Sequence, residues 1–211
     1  MIRPDGFRGA AFGTTVEGDA RNDENARRSM SRELGIPDHW ASVTQVHGSD
    51  VVEAVSPGKL GEADAIYTTV SGLPASVGYA DCVPIIVEGP DVVAVIHAGW
   101  RGAAAGVVEQ TLDAMASSGH TPVRAAIGPA IGPCCYEVGD EVAAHFPFHV
   151  AETTWGSASV DLPSFVADRM NGLEVWRSAV CTFMSPDVYS YRRDRTKKRQ
   201  VAVGWLPIDS H

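Results

Sequence analysis

The stretch from Asp91 to Gly119 constrains this chain most. A β-branched run ending at Ile96 passes into His97-Ala98-Gly99-Trp100-Arg101-Gly102 and then AAAGVVEQTLDAMASSG, which has helical length and a Gly119 stop. Strand, Gly-rich turn and helix in that order commit the chain to a mixture of α and β structure.

The remaining segments extend that mixture. Asp23 to Leu34 lacks Gly and Pro, follows a candidate cap at Asn22 and meets Gly35 and Pro37, which predicts a helix. Residues 40–46 and 51–55 read as short strands separated by the polar turn His47-Gly48-Ser49-Asp50, so His47 falls at a strand end. Residues 75–87 are β-rich but interrupted at Ala80-Asp81-Cys82, where Pro84 predicts a bulge, an edge or a break in pairing. Strands are expected at 124–127, 173–180 and 200–206, and short helices at 137–145 and 162–171. The order is too irregular for a repeating βαβ pattern, and no repeat or linker divides it. One α+β domain with mixed sheets over residues 1–211 is the expectation.

Composition narrows the function. With 211 residues, 45% hydrophobic and 20% charged, the chain can bury a substantial core. A net charge of -9 argues against a general grip on nucleic acid, so an anion site has to be local. The start MIRPDGFRGA has no apolar stretch behind a basic one, and nothing approaches a membrane span. Four cysteines are too few to staple a chain this long, so a reducing cytoplasm is expected.

His47, Cys82 and His97 each follow or interrupt a predicted strand, and a sheet could gather them at one rim. Two imidazoles and a thiolate suit Zn2+, and three protein ligands leave one tetrahedral position open, as in catalytic sites. Taken singly, Cys82 also reads as a small buried hydrophobe and either histidine as a turn residue. At His97–Gly102, amide groups at a helix start and the Arg101 guanidinium suit a phosphate or carboxylate, beside a purely structural role for Arg101.

The blocks TQVHGSDVV (44–52), EADAIYT (62–68), ADCVPIIV (80–87), HAGWRG (97–102), IGPAIGPCCYEVG (127–139), CTF (181–183) and SYRRD (190–194) resemble the bacterial polyphenol-oxidase or laccase-domain family. Its members are also described as zinc-dependent purine nucleoside phosphorylases. The resemblance spans most of the chain and places the family's metal ligands on His47, Cys82 and His97. It implies a four-layer α/β/β/α fold with mixed sheets, phosphorolysis of adenosine, inosine or methylthioadenosine, and deamination of adenosine. Other members are described as peptidoglycan editing factors or copper-dependent phenol oxidases. The chain departs from the family pattern in AAFGTTVEGDARNDENARR, which lacks an expected Leu-Asn pair, and in TKKR (196–199), where Thr-Gly-Arg is usual. These departures bear on substrate preference more than on metal binding.

Within that reading, Asp64 and Asp81 are candidates to move protons, with turn capping as their bland alternative. Arg101 and Gly102 would hold phosphate. Six cations crowd YRRDRTKKR; Arg192 and Arg193 are the candidates for substrate contact, against a solvated loop. The first rival is a metal-free cysteine hydrolase with Cys82 as nucleophile and His97 as base, acting on a peptidoglycan precursor, which leaves His47 without a task. A copper oxidase is weaker, because the chain has seven histidines and none in an HxH pair. His39, His120, His145, His149 and His211 read as turn, surface or tail residues. A binding module with structural zinc would need a fourth ligand, which only Cys134 or Cys135 could offer.

Overall fold

The computed structural model describes residues 1–208, so His211 lies outside the described residues. In chain order the elements are β1 (Ala10–Phe12), α1 (Glu24–Leu34), β2 (Ala41–Thr44), β3 (Val51–Glu53), β4 (Gly58–Glu62), β5 (Ala65–Thr68), β6 (Ala75–Tyr79), β7 (Val83–Glu88), β8 (Val93–Ala98), α2 (Trp100–Ala104), α3 (Val107–Ser117), β9 (Arg124–Ile127), α4 (Asp140–Ala143), β10 (Val150–Glu152), β11 (Ala158–Val160), α5 (Leu162–Ala167), β12 (Glu174–Arg177), α6 (Tyr191–Asp194) and β13 (Gln200–Gly204). They form a five-stranded sheet in the order β1-β13-β6-β2-β4, a six-stranded sheet in the order β12-β9-β7-β8-β5-β3, and a small β10-β11 pair. Both large sheets are mixed. In the first, β1, β13 and β6 pair antiparallel while β6, β2 and β4 pair parallel. In the second, β9, β7, β8 and β5 alternate in direction and β12 and β3 join in parallel at the edges.

Alternation of side chains stacks these sheets. Phe12, Val77 and Ala202 of the first sheet pack against Ile66, Ile86, Val93, Val95 and Ala126 of the second. The opposite face of the first sheet, with Ala11, Val201 and Val203, is closed by Met30 of α1. The outer face of the second, with Ile85, Val87, Ala94 and Ile96, is closed by α3 (Val107, Val108, Met115) and α5 (Leu162, Phe165, Val166). The result is the four-layer α/β/β/α arrangement. It also explains why β7 and β8 read as unbroken apolar runs, since strands covered on both faces need no polar side. Among the described residues no helix is long and apolar enough to cross a membrane.

Several boundaries differ from the sequence expectation. The N-cap of α1 is Asp23, whose carboxylate accepts from the amides of Asn25 and Ala26, rather than Asn22. The segment 75–87 is two strands in different sheets, and the chain crosses between them at Ala80-Asp81-Cys82. Pro84 lies in a central strand without cost: its carbonyl accepts from Gly128 just beyond the end of β9, so the missing N–H falls where that ladder stops. The long helix after Gly102 is two, because Ala105 closes α2 and Gly106 adopts φ 85° before α3. The helices expected at 137–145 and 162–171 shorten to α4 and α5.

Candidate functional site

Along β8 the odd residues Val93 and Val95 face the neighbouring sheet, and His97 continues that side at the strand end. Cys82 ends the crossing from β6, immediately before β7. The β7-β8 register pairs Val83 with Ala98, which brings Cys82 beside Gly99. His47 arrives from the other sheet, on the turn after β2. The ligand atoms of His47, Cys82 and His97 all lie within 4.8 Å of one another. Cys82 Sγ is 4.0 Å from His47 Nε2, and the two imidazoles meet edge to face with centroids 4.9 Å apart.

The backbone is bent to achieve this. His47 and Asp81 have φ of 61° and 85°, a region that non-glycine residues rarely occupy. Both turns are fixed by buried carboxylates. Asp64, fully buried, receives the N–H of Gly48 at 2.7 Å and of Val46 at 3.0 Å on Oδ2, and its Oδ1 lies 2.7 Å from His97 Nδ1. One carboxylate thus holds the His47 turn and directs His97 so that Nε2 is left for a ligand. Asp81 receives the Thr182 hydroxyl at 2.6 Å and the Arg192 amide at 2.7 Å, tying the segments around 182 and 192 to the Cys82 crossing.

Two glycines make room. A Cβ on Gly99 would stand 2.8 Å from His47 Cδ2 and 3.2 Å from Cys82 Sγ, and one on Gly102 would stand 2.6 Å from the Gly48 carbonyl. The Gly-rich spacing therefore serves the approach of α2 to the His47 turn. Because α2 has only five residues, its start offers little helix dipole, and the cation beside it is Arg101.

Electrostatics favour a thiolate. Burial pushes the Cys82 thiol up, but the His97 charge and a hydrogen bond from His47 outweigh it and bring the thiol down to about 6. Burial opposes a charged His97, yet the Cys82 thiolate and the hydrogen bond to Asp64 raise it to about 9. For Asp64, burial is more than offset by the bonds from His97 and Gly48, which hold it below its ordinary value. Thiolate is the form that binds metal.

Cavities open on both sides of the trio. One of about 180 Å³ joins His47 and Cys82 to Trp100, Arg101, Tyr136 and Arg192. The other, about 560 Å³, joins all three residues to Arg21, Lys197 and Arg199.

A family model described as multi-copper polyphenol oxidoreductase laccase matches residues 3–207. The chain belongs to this laccase family. It is 37% identical to a purine nucleoside phosphorylase of Streptomyces griseus, over 95% of this chain and 90% of the relative. It is 40% identical to a purine nucleoside phosphorylase of Streptomyces coelicolor, over 85% and 81%. In structure it is similar to YlmD from Geobacillus stearothermophilus, with a TM-score of 0.84, 28% identity and coverage of 98% and 97%. It also resembles the Bacillus licheniformis hypothetical protein YfiH, with a TM-score of 0.83, 25% identity and coverage of 93% and 92%.

In this laccase-family chain the cations named from sequence separate into two kinds. The exposed Arg101 stacks its guanidinium 4.2 Å over the Trp100 ring, and Arg192 lies 5.1 Å over Tyr136 while donating to the Glu137 carbonyl. Both line the smaller cavity. Arg193 turns away: its guanidinium donates to the carbonyls of Thr182, Phe183, Ser185 and Val188 and to both oxygens of Asp194, leaving no donor for substrate. Its geometry is that of a loop clamp. Sequence reasoning missed Arg21, an isolated cation in a polar segment that crosses Gly78 to bond Gln45. It also missed Tyr136 and Tyr191, although both sit inside quoted family blocks. Lys197 and Arg199 place the unusual TKKR stretch on the wall of the larger cavity.

Proposed function

We propose that this chain is a zinc-dependent purine nucleoside phosphorylase whose metal ligands are His47, Cys82 and His97. The observation that carries this reading is His47. It occupies a left-handed turn, anchored by Asp64, that presents its Nε2 to Cys82, a placement that supplies a metal with its third ligand, whereas a cysteine hydrolase already has its base in His97. One soft and two borderline donors with an open side fit zinc. The electron-transfer cluster implied by a multi-copper name needs more histidines than the two gathered here. The relatives named purine nucleoside phosphorylase support the reaction class.

Zinc held there would supply Lewis acidity next to the substrate. The chain's own groups do the rest. Trp100, Tyr136, Ile131 and Leu162 give the smaller cavity an aromatic and apolar wall suited to a purine face. Arg101 and Arg192 supply charge for phosphate at the mouth of that cavity, and because its roughly 180 Å³ suits the base alone, the sugar would lie toward His47 and Cys82, which the larger cavity shares. A phosphate oxygen then bonds to the sugar's anomeric carbon as the bond to the purine nitrogen breaks. The bonding electrons leave with the base, which takes up the proton that hydrogen phosphate gives up on becoming an ester, and the products are the free base and the sugar 1-phosphate.

A second reading has one observation in its favour: Cys82, His97 and Asp64 stand in the order nucleophile, base and orienting carboxylate. It would make the chain an amide hydrolase of the peptidoglycan-editing type. Deamination of adenosine draws less support, because both oxygens of Asp64 and of Asp81 already receive hydrogen bonds. Incubating the zinc-loaded protein with inosine, adenosine or methylthioadenosine tests the reading. Base and the matching sugar 1-phosphate should form only when phosphate is present. Formation of inosine from adenosine without phosphate would restore the deaminase, and no turnover of any nucleoside would reject the phosphorylase.

A further inference from the structure

We propose that Cys134, Cys135 and Cys181 form a second metal site that takes a soft d10 cation such as zinc or copper(I). Their sulfurs all lie within 4.8 Å of one another, and those of Cys134 and Cys135 are 3.4 Å apart. Three thiolates on one tetrahedral zinc, with bonds of about 2.3 Å, stand roughly 3.8 Å apart, so small side-chain rotations complete the arrangement. Neighbouring cysteines ordinarily diverge. Here Gly132 to Tyr136 form a tight turn, with the amides of Cys135 and Tyr136 both 3.0 Å from the Gly132 carbonyl, and this turn aims both sulfurs at Cys181. The Gly132 amide also donates to Cys181 Sγ at 3.3 Å, a contact that favours thiolate.

The cluster is distinct from the trio at His47. It opens on a cavity of about 270 Å³ lined by Cys134, Cys181, Asp161 and Arg177, which shares no residue with the two cavities beside Cys82. Three protein thiolates would leave the fourth position facing that cavity. The ligands join two segments that meet through a bridge between Ala130 and Cys181, and the next residue, Thr182, donates to Asp81. A cation here would staple the loop carrying Ile131 and Tyr136 to the segment that anchors the Cys82 crossing. With one position open it is not a closed four-ligand structural site, and the proposal holds whether or not the phosphorylase reading does.

The test uses Cys82→Ala, in which the three remaining cysteines of the four in the chain are those of the cluster, so any thiolate-to-metal absorption must come from them. Cadmium is titrated into the metal-free variant under a phosphine reductant, and bound metal is counted after gel filtration. The proposal expects a charge-transfer band that saturates at one cadmium per chain and is about three times as intense as the band of a Cys134→Ser/Cys181→Ser protein, where Cys82 is the main remaining thiolate ligand. Adding Cys181→Ser to Cys82→Ala should weaken cadmium binding at least tenfold. No band in Cys82→Ala, or a band unchanged by the loss of Cys181, overturns the proposal. Should the Cys181→Ser variant fail to fold, as its circular dichroism would show, the stoichiometry and intensity of the Cys82→Ala band, read with the cluster intact, decide the outcome. Loss of zinc from the trio would not alter it either.

Discussion

His97 and Asp64 are joined by a 2.7 Å contact between Nδ1 and Oδ1, buried on both sides, and the other oxygen of Asp64 holds the amide that follows His47. A single carboxylate therefore sets the positions of ligands that come from two different sheets. This makes Asp64 a positioning residue in the proposed centre and gives it a measurable signature. Asp64→Asn should lower zinc affinity about 10- to 100-fold, since carboxylates that orient ligand histidines have effects of that size. Chelator competition measures it, and an unchanged affinity would remove Asp64 from the account.

Gly102→Ala should disturb the centre without touching a ligand. Its Cβ would come within 2.6 Å of the Gly48 carbonyl, so either α2 or the His47 turn must move. Overpacking of this kind costs about 1–3 kcal/mol. Reduced zinc retention together with a lower Tm is the expected result. A variant with wild-type zinc content and Tm would show that the approach of α2 to the turn is not needed.

Arg101 and Arg193 should separate cleanly. Arg101→Ala is expected to raise the KM for phosphate at least tenfold while changing stability by less than about 0.5 kcal/mol, because its exposed guanidinium stacks only on Trp100. Arg193→Ala removes the donor that gathers four carbonyls and should cost about 2 kcal/mol or more. Denaturant melts and phosphate titrations check both. Reversed roles would contradict the assignment of the two arginines.

The metal-free Cys82 thiol should be reactive at unusually low pH. With its value brought down from 9 to about 6, thiolate persists as pH falls until about 6 and is protonated below that. Alkylation by iodoacetamide should therefore rise through pH 6 and level off above it, where an ordinary thiol would keep gaining toward pH 9. His97→Gln removes the charge that lowers the thiol and should move the midpoint upward. A midpoint near 9 in the unaltered protein would deny the thiolate.

The features legible in the sequence were those with local causes. The β8 run, the Gly-rich turn and Gly119 mark a strand, a turn and a helix end through β-branched residue type and glycine conformation alone. His47, Cys82 and His97 stood out by residue type and by their place at strand ends. What stayed hidden depends on long-range pairing. β4, with the sequence GKLGE, has no apolar alternation and becomes a strand only because β2 lies beside it. The sheet crossing at Ala80-Asp81-Cys82 resembled a simple kink, because nothing local distinguishes a bend within one sheet from a passage between two. Asp64 and Arg193 stand out in sequence as polar candidates, but their engagement with His97 and with the 182–188 carbonyls joins residues brought together by folding. The convergence of Cys181 on Cys134 and Cys135 is of the same kind.

Zinc held by His47, Cys82 and His97, as proposed, should make cleavage of a purine nucleoside depend on both metal and phosphate. The most direct measurement follows hypoxanthine released from inosine by protein stripped of metal and then reloaded with zinc enough for both proposed sites, with and without phosphate. Stripped protein should release none, release should return with zinc only when phosphate is present, and His47→Ala should not be restored. Full turnover by demonstrably metal-free protein, accompanied by a covalent adduct on Cys82, would contradict the zinc reading and establish the cysteine mechanism instead.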